Sequence, residues 1–138
     1  MDQACHKYPS YFPDNCPPDE ATDEEKLLFR LCTEPTLSEK DFVSFYLKNP
    51  GKWKDNIQAY GLSVLESVDD CISARRKNGY LRKKYPFCAS GMNNSDRGRI
   101  LNTPSDTNPN HYTWWVYENV KPHTFFEMCT DEGGGNNE

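Results

Sequence analysis

Apolar residues in this chain fall in short runs, and their period separates two kinds of element. From Tyr85 onward the runs YPFCASGM, GRILNTP, HYTWWVY and PHTFFEMC are broken by the turn-rich stretches MNNSDRG and SDTNPN, a pattern that predicts strands joined by loops. If residues 110–117, NHYTWWVY, are extended, Tyr112, Trp114 and Val116 take one face, and His111, Thr113, Trp115 and Tyr117 the other. Each face then holds a tryptophan. Either both faces are covered, or the mixed face lines a concave surface.

Upstream the spacing turns helical. In LSEKDFVSFYLKNPG, Ser38 is a fitting N-cap, Asp41 closes a capping box, Leu37 and Phe42 have staple spacing, and Pro50-Gly51 stops the helix. Phe42, Phe45 and Tyr46 would form its buried face. AYGLSVLES predicts a strand, and SVDDCISARRKNG a helix capped by Ser67, acidic first, basic last and ended at Gly79. TDEEKLLFRLC fits two readings: Thr22 and Glu25 form a capping-box pattern, yet LLFRLC is short and apolar enough for a buried strand. Residues 1–21, with Pro9, Pro13, Pro17 and Pro18, read as an irregular arm whose Tyr8, Tyr11 and Phe12 pack along the domain. Residues 131–138 read as a disordered tail. The expected architecture is one α+β domain over residues 22–130. Its helices fall mainly in the N-terminal part, and a small antiparallel or mixed sheet in the C-terminal part.

The 138 residues are enough for a packed core without metal or disulfide staples. No apolar stretch approaches a membrane span and no export signal opens the sequence, so a cytoplasmic protein is expected, with its six cysteines reduced. Cys5, His6, Cys16 and Cys32 are the only candidate metal cluster. They lack the spacing that presents two ligands from one turn, so neither a metal nor a cofactor is expected.

The net charge of −5 conceals a segregation. Nine acidic residues between Pro13 and Asp41 face only Lys26, Arg30 and Lys40. Between Arg75 and Arg99 the basic Arg75, Arg76, Lys77, Arg82, Lys83, Lys84, Arg97 and Arg99 face only Asp96. That basic segment could meet a phosphate-bearing or acidic partner, or be a solvated helix face. His111 shares a face with Thr113 and Trp115 and could serve as acid, base or hydrogen-bonding group beside a ligand. Arg97 and Arg99, at alternate positions, would form a two-armed anion site if both pointed toward His111. No phosphate-binding glycine loop, nucleophile elbow or HExxH motif is present.

The blocks CPPDEA, DFVSF, GLSVLESVDDC, GRILNTP and HYTWW, in this order, resemble those of a group of small bacterial proteins of unassigned function. The resemblance implies a free-standing domain and no activity. Arg30 in LFRLC, Ser63 in GLSVLES and a downstream glutamate, Glu118 or Glu127, are fainter in likeness. They resemble the arginine, serine and glutamate order of ADP-ribosyltransferase-like folds. That resemblance implies NAD binding, with Arg30 on the phosphates and Ser63 shaping the nicotinamide site; the paired glutamate motif is missing. The first expectation is an interaction or accessory protein whose partner, another protein, meets the basic segment and the aromatic strand through Thr113, Trp115 and Tyr117. The second is a small nucleotide- or NAD-binding domain or enzyme, with Arg97, Arg99 and His111, or Arg30 and Ser63, around a phosphate-bearing molecule. Nucleic acid ranks third because the chain is acidic. The residues do not decide between enzyme and binding module.

Overall fold

A computed structural model describes residues 7–129. The tail at 131–138, Cys5 and His6 lie outside the described residues. Six strands form one sheet: β1 (Lys26–Cys32), β2 (Leu62–Leu65), β3 (Phe87–Asn93), β4 (Gly98–Asn102), β5 (His111–Val116) and β6 (Glu127–Met128). The spatial order is β4-β5-β2-β1-β3-β6, and every pairing is antiparallel. The molecule is thus α+β with an antiparallel sheet. LLFRLC is a strand: β1 pairs with β3 along its whole length, from Lys26 opposite Asn93 to Cys32 opposite Phe87. Thr22 bridges to Ile100 instead of capping a helix. The two strands from the first half of the chain stand at the centre of the sheet, so helix and sheet are less segregated along the sequence than expected.

The helices are short. Ser38 does close its capping box with Asp41, but only over a 3₁₀ turn at Glu39–Phe42; Val43 and Ser44 are extended. The chain then makes α1 (Phe45–Lys48) and α2 (Pro50–Trp53). Pro50, expected to end a helix, begins one, because the first helical position needs no N–H. Ser67 caps α3 (Val68–Lys77) by accepting from the Asp70 N–H. Gly79 does not terminate it. Asn78 ends α3 and its Oδ1 takes the N–H groups of Tyr80 and Leu81, which starts a further helix, α4 (Gly79–Lys84). PHTFFEMC yields a 3₁₀ turn at Pro122–Thr124 and only the two residues of β6.

Register assigns the faces. Leu62, Ile100 and Trp114 lie opposite one another on β2, β4 and β5, and with Leu28, Val64 and Phe126 they build the main core. Phe126 fits there because Gly91 on β3 has no side chain; a Cβ would collide with its ring. The other face is covered in two pieces. At one end Trp115 packs with Cys16, Ala21 and Tyr60, flanked by Tyr8 and Phe12 of the N-terminal arm. At the other, α3 sets Cys71 against Leu65 and Cys88. Trp114 and Trp115 are both 0% exposed. The concentration of aromatics in NHYTWWVY therefore belongs to a strand buried on both faces at its centre. None of Cys16, Cys32, Cys71, Cys88 and Cys129 forms a disulfide, although Cys71 and Cys88 approach to 3.0 Å between sulfurs. No helix among the described residues is long and apolar enough to cross a membrane.

Candidate functional site

β1 and β2 meet at one residue pair, Phe29 opposite Leu65. Beyond it the strands part, and Arg30 fills the gap left by the missing ladder. Its Nη1 donates to the Ser63 carbonyl at 2.7 Å and its Nε to the Asp41 carbonyl at 2.7 Å. The guanidinium also lies over the Phe42 ring, 5.7 Å from the centroid. Burial lowers the Arg30 pKa, against the opposing influence of Cys32, Tyr85 and Asp41. Among the described residues its Nη2 has no protein partner.

A cavity of about 340 Å³ opens at this split. Phe29, Leu31, Leu65, Ala74 and Leu81 give it apolar walls from β1, β2 and the α3–α4 hairpin. Ser63, Ser105, Thr107, Asn108 and His111 give it a polar side. Lys48 joins Arg30 in the lining; its pKa is lowered by burial first, then by Arg30 and Lys84. Three cations therefore gather near one end, and no carboxylate lines the cavity among the described residues. Phe45 and Tyr80 also belong to the wall, yet are 49% and 61% exposed. Apolar rings left this open at a cavity mouth are available to stack on a ligand.

His111 is held along one edge. Its Nδ1 lies 2.9 Å from the Thr103 carbonyl and 2.9 Å from Thr103 Oγ1, and Thr103 Oγ1 lies 2.8 Å from Thr113 Oγ1. A carbonyl can only accept, so Nδ1 carries the proton and Nε2 is left a bare acceptor. Burial, which favours the neutral ring, pushes the His111 pKa down, partly offset by the Thr103 backbone bond, which favours the charged ring. Nε2 has no protein partner among the described residues.

The cavity thus unites Arg30, Ser63 and His111, which the sequence left in two separate readings. It does not unite the others. Arg97 lies on the Phe125 ring, 3.6 Å from its centroid, and donates to the Met92 carbonyl. Arg99 reaches the Ala21 carbonyl and lines an open acidic groove with Asp14, Asp19, Asp23 and Tyr117. The two arginines diverge from each other and from His111, because Arg97 precedes β4 and turns to the main-core side. Thr113 and Trp115 are buried; Trp115 donates to the Ile57 carbonyl. Glu118 and Glu127 do not line the cavity.

Within the basic segment, Arg76, Lys77, Arg82, Lys83 and Lys84 are exposed and Arg75 is half-buried. Two of them serve the fold: Arg82 donates to the Arg75 and Arg76 carbonyls at the end of α3, and Lys77 to the Thr107 carbonyl. Lys84 lies over Tyr80 and Tyr85 beside the cavity. Sequence reasoning missed Phe45, Lys48, Tyr80 and Asn108. Its only available signal was Asn-Gly-Tyr at 78–80, which starts a helix where a stop was expected. Among the described residues no group of three or more histidine, cysteine or acidic side chains is placed to hold a metal.

Fold and cavity together define an α+β domain with a small cavity, cationic at one end, at a split in its sheet. No known family, curated protein or solved structure matches the chain.

Proposed function

We propose that this domain binds a small organic anion with a flat, apolar body, a mononucleotide being the nearest fit, in the cavity between β1, β2 and the α3–α4 hairpin. The observation that carries this is the charge of the lining: Arg30 and Lys48, with Lys84 beside them, against no described carboxylate. A half-buried guanidinium in the cavity lining, with one nitrogen unpartnered among the described residues, can complete its hydrogen bonding on an anion. Phe45 and Tyr80 at the mouth supply stacking faces, and the apolar wall excludes water from the anion. A volume of about 340 Å³ suits one nucleotide and not a dinucleotide such as NAD. The interaction-protein reading keeps the exposed basic face of α3 and α4 but loses its aromatic strand, which is buried.

Calorimetric titration with adenosine monophosphate, NAD and inorganic phosphate tests the proposal. Adenosine monophosphate should bind, and more tightly than NAD. Lys48→Met should weaken it about tenfold, the scale of one charge-assisted contact. Arg30→Met should weaken it further, with folding checked by circular dichroism because Arg30 also bridges the split. Absence of nucleotide binding, or binding indifferent to Lys48→Met, would overturn the proposal.

A further inference from the structure

Resting on that reading, we infer that the ligand also carries a hydrogen-bond donor at the end opposite its anion, and that His111 is the residue that selects it. The class so defined is a mononucleotide with an exocyclic amino group, adenosine monophosphate being the simplest.

The geometry has three parts. First, the cavity is polarised across the sheet. Arg30 stands on β1 and His111 on β5, with β2 between them. Two inter-strand steps, about 10 Å, separate the backbones of β1 and β5, and the Arg30 guanidinium reaches as far as the Ser63 carbonyl of β2. Second, the polar groups at the His111 end do not all discriminate. The hydroxyls of Ser63 and Thr107 can rotate to donate or accept, so they tolerate either kind of ligand edge. His111 cannot: with Nδ1–H committed to the Thr103 carbonyl, the neutral ring offers the cavity an acceptor alone. Third, the clamp is itself braced, since Thr103 also bonds Thr113 on β5 and its N–H donates to the His111 carbonyl. Turning the ring to present a donor would break contacts on both sides of Thr103. A ligand whose far edge only accepts would meet a lone pair; one with an amino group would complete the site.

The experiment compares adenosine monophosphate with purine riboside 5′-monophosphate, which differs by the missing amino group, and with adenosine, which lacks the phosphate. Wild-type protein should bind adenosine monophosphate about tenfold more tightly than purine riboside monophosphate, the loss expected when a site built for a donor is left unpaired. His111→Phe should bring adenosine monophosphate and purine riboside monophosphate to equal affinity. Equal affinities of the two nucleotides for wild type would overturn the role of His111 while leaving the anion site standing, and this comparison needs no variant to fold. A preference that survives in His111→Phe would do the same. Adenosine binding as tightly as its monophosphate would instead remove the anion site, and the inference with it.

Discussion

Asn93 and His111 are both polar side chains drawn into the folded protein near Trp114 and Trp115, and the chain treats them in opposite ways. Asn93, at the end of β3, is 0% exposed and saturated: its Nδ2 donates to the carbonyls of Glu24 and Gly98, and its Oδ1 accepts from Trp114 Nε1 at 2.8 Å. His111, at the start of β5, is half-buried, and only one edge of its ring is engaged. A buried polar group whose capacity is used up fixes a core. One held in a defined tautomer with its other edge bare toward a cavity is the group that the proposed ligand would use. The same contrast separates the arginines: Arg97 rests on an aromatic ring at the protein's edge, whereas Arg30 spans the split and, among the described residues, keeps Nη2 unpartnered.

This comparison breaks if the saturated region proves no more sensitive than the cavity. Trp114→Ala and Trp115→Ala should each cost about 3–5 kcal/mol in urea unfolding, because both rings are fully buried. A Trp115→Ala loss much smaller than that of Trp114→Ala would mean that the N-terminal arm covers Trp115 only loosely. Asn93→Ala should follow at about 3 kcal/mol, since it strands the Trp114 N–H and two carbonyls without partners. His111→Phe, in contrast, should stay within about 1 kcal/mol, as volume-conserving changes do where the released carbonyl can reach water. Similar losses at Asn93 and His111 would erase the distinction.

Much of this was legible in the residues. Short apolar runs broken by turn-rich stretches located β3, β4 and β5, the serine-acid spacing located the caps at Ser38 and Ser67, and the paired tryptophans posed the question of a strand covered on both faces. What covers Trp115 was harder to read, because the arm carries no periodicity and is positioned by tertiary contacts from Tyr8, Phe12 and Cys16. The helix expected after Ser38 broke at Val43-Ser44, where Ser44 starts a new turn by capping Leu47. Phe42 thereby joins the main core while Phe45 is left at the cavity mouth. The site was half legible: Arg30, Ser63 and His111 were singled out individually. Their meeting depends on a strand order, β5-β2-β1, and on a ladder that stops after one pair, neither of which is written in local pattern.

The smallest expected effect is a pH dependence, and it bears on the His111 half of the comparison alone. Burial lowers the His111 pKa in the folded protein, while the unfolded chain keeps the ordinary value of about 6.5. Between the two values the unfolded chain holds a proton that the folded protein does not. The stability associated with a neutral His111 is therefore complete above about 6.5, declines as the pH falls toward the folded value, and is constant below it. The charged and titratable groups around the ring enter the same measurement: Arg30, Lys48, Tyr80 and Tyr85 in the cavity, Lys77 on the Thr107 carbonyl and Asp70 on Asn110. Comparing urea midpoints of wild type and His111→Phe at pH 7.5 and 5.5 subtracts them. Wild type should lose more stability than the variant on acidification, because only wild type must keep an imidazole neutral. If the two lose the same amount, the ring titrates as it would in water, Nε2 is no committed acceptor, and His111 belongs with the solvated surface.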